Sequence, residues 1–109
     1  TPREKSSDIR RRVEKARERM TKRYAGTGIY ANGQLTPAMI REYCVTDERA
    51  DTLLAAAFDR LGLSARGYDR ILRLAKTIAD MDENDIIGEK HIAQAIQLRS
   101  LDRKYWQGV

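Results

Sequence analysis

One cysteine, one histidine and two prolines in 109 residues exclude several kinds of protein before any motif is sought. A lone Cys44 cannot build an intrachain disulfide framework and fits a reducing compartment. With His91 as its only histidine, the chain has too few donors for the usual Cys/His metal sites, and no metal ligand set is expected. Aromatics make up 6% and charged residues 34%, a balance that suits helices rather than long β-segments. No apolar run approaches the length of a membrane span and no charged-then-apolar leader is seen, so the expectation is a cytoplasmic protein with no membrane partner. There is no glycine-rich loop ending in Lys-Ser/Thr, no strand with a Mg²⁺-binding acidic pair, and no Ser-His-Asp or Cys-His arrangement with independent support. These residues hold no complete active site.

What is abundant is positive charge, and it is unevenly placed. Residues 1–25 carry ten Lys/Arg against four Asp/Glu, a net of +6, whereas the other 84 residues sum to −1. From Ser6 or Ser7 this segment reads as a helix with a narrow stripe of Ile9, Val13, Ala16, Met20 and Tyr24. Such a helix leans on something along one edge rather than lying submerged in a core. Its cations, Arg10, Arg11, Arg12, Arg19, Lys22 and Arg23 among them, are either a nucleic-acid footprint or a solvated face on which Glu14 and Glu18 form local pairs. Residues 26–34 follow with three glycines and an Asn-Gly pair, the signature of a loop and a candidate flexible joint. Residues 1–25 are accordingly expected to move more independently than residues 35–100.

Residues 35–109 read as a compact helical unit. Thr36 and Pro37 start a short helix ending near Tyr43 or Cys44, with Leu35 placed to staple onto Ile40. Thr46 is the expected cap of the next helix, whose face is Ala50, Leu53, Leu54, Ala57, Phe58 and Leu61 and which Gly62 closes. Ser64 then caps a central helix with Tyr68, Ile71, Leu72, Ala75, Ile78 and Ala79 inward, and Arg66, Arg70, Arg73 and Thr77 on the opposite stripe. Asp69 stands four residues before Arg73, at ion-pair spacing. A polar loop and Gly88 lead to a last helix with Ile92, Ala95, Ile96 and Leu98 inward, while Trp106 packs the tail onto the bundle or anchors a partner. His91 is expected at the surface or half-buried, and Cys44 as a small buried hydrophobe. The fold class is all-α: a four-helix bundle preceded by a longer basic helix.

Arg66 is out of place by the dipole rule, since the first turn of a helix prefers anions. Its guanidinium and the free N–H groups there suit a phosphate; pointing to water is the other reading.

Three ordered blocks carry a family resemblance. They are Ser6-Ser7, Ile9-Arg10, Arg12-Val13 and Ala16-Arg17; Leu63-Ser64-Ala65-Arg66, Tyr68, Arg70-Ile71-Leu72-Arg73 and Ala75 to Met81; and His91-Ile92, Ala95-Ile96 and Arg99 to Arg103. Together they resemble the C-terminal part of the magnesium-chelatase-like AAA+ ATPases, a group with relatives of the bacterial competence and branch-migration helicase type. Met20, Gln94 and Met81 depart from a family pattern that has glutamine, glutamate and leucine there. The resemblance implies a helical lid with its linking helix, following an upstream AAA+ core that binds ATP and Mg²⁺ and assembles with neighbouring subunits as a hexamer. By the same resemblance Arg66 matches the sensor-2 arginine that reaches the γ-phosphate, with Arg70 and Arg73 as supporting contacts. The chain alone is then expected to lack ATPase activity, and DNA or a porphyrin is the implied substrate of the motor. The competing class is a free-standing helical module that binds nucleic acid through residues 3–23.

Overall fold

In the computed structural model, residues 6–107 are described, with side chains through Arg99. Five helices follow one another: α1 (Ser6–Arg23), α2 (Pro37–Tyr43), α3 (Glu48–Leu61), α4 (Ala65–Met81) and α5 (Glu89–Gln107), with a short 3-10 turn at Asn32–Gln34. No strand occurs among the described residues; a single parallel bridge joins Thr46 to Ile87. An all-α bundle is the observed fold; the leading helix is not the longer one expected, since α1 has 18 residues and α5 has 19. The side chains of Ser100 to Gln107, including Trp106, lie outside the described ones, as do residues 1–5.

α4 is the central element, in contact with α1, α2, α5 and the 3-10 turn, while α3 packs on α5. Its start is set as the sequence implies: Gly62 takes a left-handed φ of 60°, and the Ser64 side chain accepts from the Gly67 N–H at 3.1 Å. Ile71, Leu72, Ala75, Ile78 and Ala79 are buried in a core shared with Leu35, Ile40, Leu54 and Ile92. α2 begins on the Thr36 cap, which accepts from Met39 N at 3.3 Å.

Several expectations need correction. Asp47, not Thr46, caps α3, accepting from Ala50 N at 2.8 Å. The bridge to Ile87 keeps the chain extended through Thr46, so the helix starts one residue later, and Thr46 donates to Asp51 instead. Phe58 and Leu61 sit on the right stripe of α3 but stay exposed, because α3 packs on α5 and leaves that flank open. Leu98 is exposed rather than inward. His91 is fully buried: at the third position of α5 its Nδ1 accepts the Gly88 N–H at 2.9 Å, and its Nε2 bonds Asp82 Oδ2 at 3.0 Å. It does the work that a glutamate does in a capping box, tying the last helix to the end of α4.

α1 lies along α4. Ala16, Met20 and Tyr24 are buried there, with Tyr24 edge-to-face on Tyr43 at 5.1 Å between centroids. Ile9 and Val13, at the far end of the same stripe, remain exposed, with no described residue covering them.

Candidate functional site

The two ends of α4 carry different chemistry. At its N-terminal end, Arg66 projects from the first turn into solvent, and Arg70 is exposed one turn later. Neither makes an ion pair among the described residues. Arg73 departs from the expected open ladder: it is half-buried, and its Nη1 donates to the Leu35 carbonyl at 3.4 Å. Asp69 forms no ion pair with it among the described residues; Asp69 faces the flank shared with α2, where it lines a groove.

A second cation stands at this end. A Cβ built on Gly67 would lie 3.4 Å from the Arg99 Nη2, so the α5 guanidinium lies over the first turn of α4. Arg99 belongs to the quoted closing motif, but nothing in its local sequence marks it as a neighbour of Arg66; that proximity is tertiary. The signal in hindsight is Gly67, a poor helix former in a first turn that leaves space for another side chain. Two guanidiniums beside a helix N-terminus, with no carboxylate paired to Arg66 or Arg99 among the described residues, form a donor set suited to a phosphoryl group. No cluster of three or more His, Cys, Asp or Glu that could hold a metal ion occurs among the described residues.

The C-terminal end of α4 is closed. Asp80 is fully buried and accepts from Arg23 Nη1 at 2.9 Å, Asn32 Nδ2 at 2.9 Å and Arg19 Nε at 3.4 Å. Asn32 also donates to Thr77 Oγ1 at 3.1 Å and accepts from the Tyr24 hydroxyl and Arg23. Thr77, expected on the open stripe, is therefore half-buried under the 3-10 turn. Burial alone would push the Asp80 carboxyl up. Hydrogen bonds from Arg23 and Asn32, with the charges of Arg23 and Lys76, reverse this and hold it below its ordinary value of 3.8. The bond to Asp80, opposed by burial, makes Arg23 hold its proton more tightly than usual. Lys76 is buried, with its Nζ on the Asp85 carbonyl at 2.8 Å, and burial lowers its pKa. Cys44 is buried, and burial pushes its thiol up to about 11, away from the thiolate. No buried side-chain nitrogen or oxygen among the described residues lacks a partner.

The basic residues of α1 divide accordingly. Arg12, Arg19 and Arg23 face the bundle and pair with Asp82 at 3.2 Å, with Asp80 and Asp85, and with Asp80. Lys15 reaches Glu83 at 3.4 Å. Arg10, Arg11 and Lys22 stay exposed on the outer side.

A family model described as magnesium chelatase, subunit ChlI C-terminal, matches residues 3–99. The chain belongs to this family. Similar relatives include the uncharacterized protein YifB of Escherichia coli, 37% identical over 94% of the chain and 19% of that protein. The competence protein ComM of Haemophilus influenzae is 33% identical over 92% of the chain and 19% of its own length. The uncharacterized protein Mb2921c of Mycobacterium bovis is 33% identical over 88% of the chain and 19% of its length. The chain thus spans about a fifth of the length of the relatives it matches. Among its described residues, no helix is long and apolar enough to cross a membrane.

Proposed function

We propose that this family member is the C-terminal helical lid of a magnesium-chelatase-like AAA+ ATPase, and that Arg66 is its sensor-2 residue. The observation that carries this reading is the solvent-facing guanidinium of Arg66 at the Ser64-capped start of α4, with no carboxylate partner among the described residues and Arg99 alongside. ATP, held with Mg²⁺ by an upstream core of the full-length protein, supplies the scissile phosphoanhydride. Arg66 then places fixed positive charge against the phosphoryl oxygens, where charge shifts during transfer. Arg99, beside the same turn, adds charge and restricts where that anion sits. Arg70 extends the cationic face by one turn. Arg73, tethered to Leu35, contributes field rather than contact. A rigid helix with a capped start suits this role, because its donors need no reorganisation when charge develops.

The core of the same protein and neighbouring subunits of a hexamer are the partners this reading requires. A DNA-processing role rests on the competence name of one relative. The free-standing nucleic-acid module draws less support, since Arg12, Arg19 and Arg23 are engaged with Asp80, Asp82 and Asp85 and half-covered. Tight, salt-sensitive DNA binding by the chain alone would reinstate it.

The test is Arg66→Ala in the full-length protein. ATP hydrolysis should fall on the order of 10²-fold or more, with a much smaller change in ATP affinity. Normal turnover would remove the sensor-2 assignment. The chain by itself should show no hydrolysis above a protein-free blank.

A further inference from the structure

The glycine-rich stretch reads in sequence as a candidate joint, and in the structure it is held by hydrogen bonds of its own. Gly26 and Gly28 hold φ values of 79° and 88°, turning the chain sharply after α1. The turn is tied internally: Thr27 N reaches the Tyr24 carbonyl at 3.0 Å, and the Gln34 Oε1 accepts from Tyr30 N at 2.7 Å and Ala31 N at 3.1 Å. At its centre Asn32 is fully buried, gripping Arg23 at the end of α1 and Tyr24 just after it on one side, and Thr77 and Asp80 from α4 on the other. Three separate elements therefore meet at one buried carboxylate. A further row of pairs runs outward along the same seam, from Arg19 to Asp85, Lys15 to Glu83 and Arg12 to Asp82.

We propose that α1, the 26–34 stretch and the helical bundle form a single rigid body locked at Asp80, so that swinging of the lid pivots upstream of α1 and not at the glycines. Bending at residues 26–34 would strip Asp80 and Arg23 of each other and uncover Ala16, Met20 and Tyr24 together. An open state of that kind loses ionic, amide and apolar contacts at once, and charges left buried without partners are especially unfavourable. A swing upstream of α1 breaks none of these contacts. The part of the inference that concerns lid motion rests on the function proposed above; the rigidity of the unit does not. Its consequence is that Arg66, at one end of α4, moves with α1 as though on one solid piece, and displacement of the linking helix is transmitted undiminished to the phosphate-facing end.

The experiment has two arms. In the 109-residue chain, backbone amide exchange of residues 16–23 should proceed within about tenfold of residues 75–80, since both open only when the seam does. Exchange of α1 faster by about 100-fold or more would overturn the rigid body. In the full-length protein with Cys44→Ala and every other native cysteine replaced, Lys15→Cys and Glu83→Cys can be bridged across the seam by a short bis-maleimide. Turnover of the bridged protein should stay within about twofold of a control capped with N-ethylmaleimide. Loss of turnover on bridging alone would place the pivot at the glycines and overturn the proposal. Should the full-length protein hydrolyse no ATP at all, the lid reading fails, and the exchange arm still decides whether the unit is rigid.

Discussion

The two ends of α4 both carry polar side chains and are settled in opposite ways. At the C-terminal end, Asp80, Thr77 and Lys76 are polar groups enclosed by α1, the 3-10 turn and the following loop, each with a partner within the chain. At the N-terminal end, Arg66 and Arg70 face solvent, and neither they nor Arg99 is paired with a carboxylate among the described residues. One end holds the unit together and the other is held out for something outside it. A polar stripe on a helix is thus two features until the neighbours of each residue are known. Stability effects should concentrate at the closed end and activity effects at the open one.

The strongest break in that contrast should come from Asp80→Ala, which leaves Arg23 and Asn32 facing an empty buried site. A loss of about 3–5 kcal/mol in urea unfolding is expected. A loss below about 1 kcal/mol would show that the enclosed network is dispensable. Asn32→Leu should cost less, about 1–3 kcal/mol, because it strands the Tyr24 hydroxyl but leaves Thr77 on the Arg73 carbonyl and the Arg23–Asp80 pair in place.

Acid should act on the same end. The folded-state pKa of Asp80 lies below 3.8, so between that depressed value and the ordinary one the unfolded chain binds more protons. The contribution of Asp80 is complete at neutral pH, begins to fade as the pH drops towards 4, and is lost as it falls through the folded value. Unfolding midpoints measured from about pH 6 down to pH 3 should decline, and Asp80→Asn should flatten that decline.

At the open end effects on folding should be small. Gly67→Ala gains helix propensity, about 0.5–1 kcal/mol, against a Cβ 3.4 Å from the flexible tip of Arg99. A small net stabilisation is expected by thermal melting, since the added methyl meets Arg99 at ordinary contact distance. Arg66→Ala should change the stability of the chain by no more than about 0.5 kcal/mol. A larger loss would mean that Arg66 is structural and that the contrast between the two ends is not one of function.

Much of the bundle was legible in sequence because its signals are local. The Ser64 cap, Gly62 stop, Thr36-Pro37 start and inward stripe of α4 each depend on residues within a turn or two of one another. The family blocks around Arg66 were legible for the same reason. What stayed hidden depends on partners far along the chain. Nothing near Asp80 announces that Arg23, 57 residues earlier, will cover it. The Asn-Gly pair signals a turn correctly, but whether Asn32 faces water or the core is decided by Tyr24 and Thr77. His91 reads in sequence as a surface or half-buried residue because its full burial requires Asp82 and Gly88 to close around it. The place of Arg99 beside Arg66 is not legible in sequence, because α5 brings it over Gly67 only once the helices pack.

Asn32 also sets how this protein should age. An asparagine followed by glycine is the pairing most prone to spontaneous deamidation, since the Gly33 nitrogen can attack the side-chain amide, expelling ammonia and leaving a succinimide that water opens to aspartate or isoaspartate. Here that amide is sealed and its nitrogen donates to both Thr77 and Asp80. Stored folded, the protein should deamidate slowly at this position by mass spectrometry of the tryptic peptide, and quickly in denaturant. Once converted, the site would set a second carboxylate against Asp80. Molecules that have been unfolded for long would then refold less stably than fresh ones, carrying a chemical record of their history.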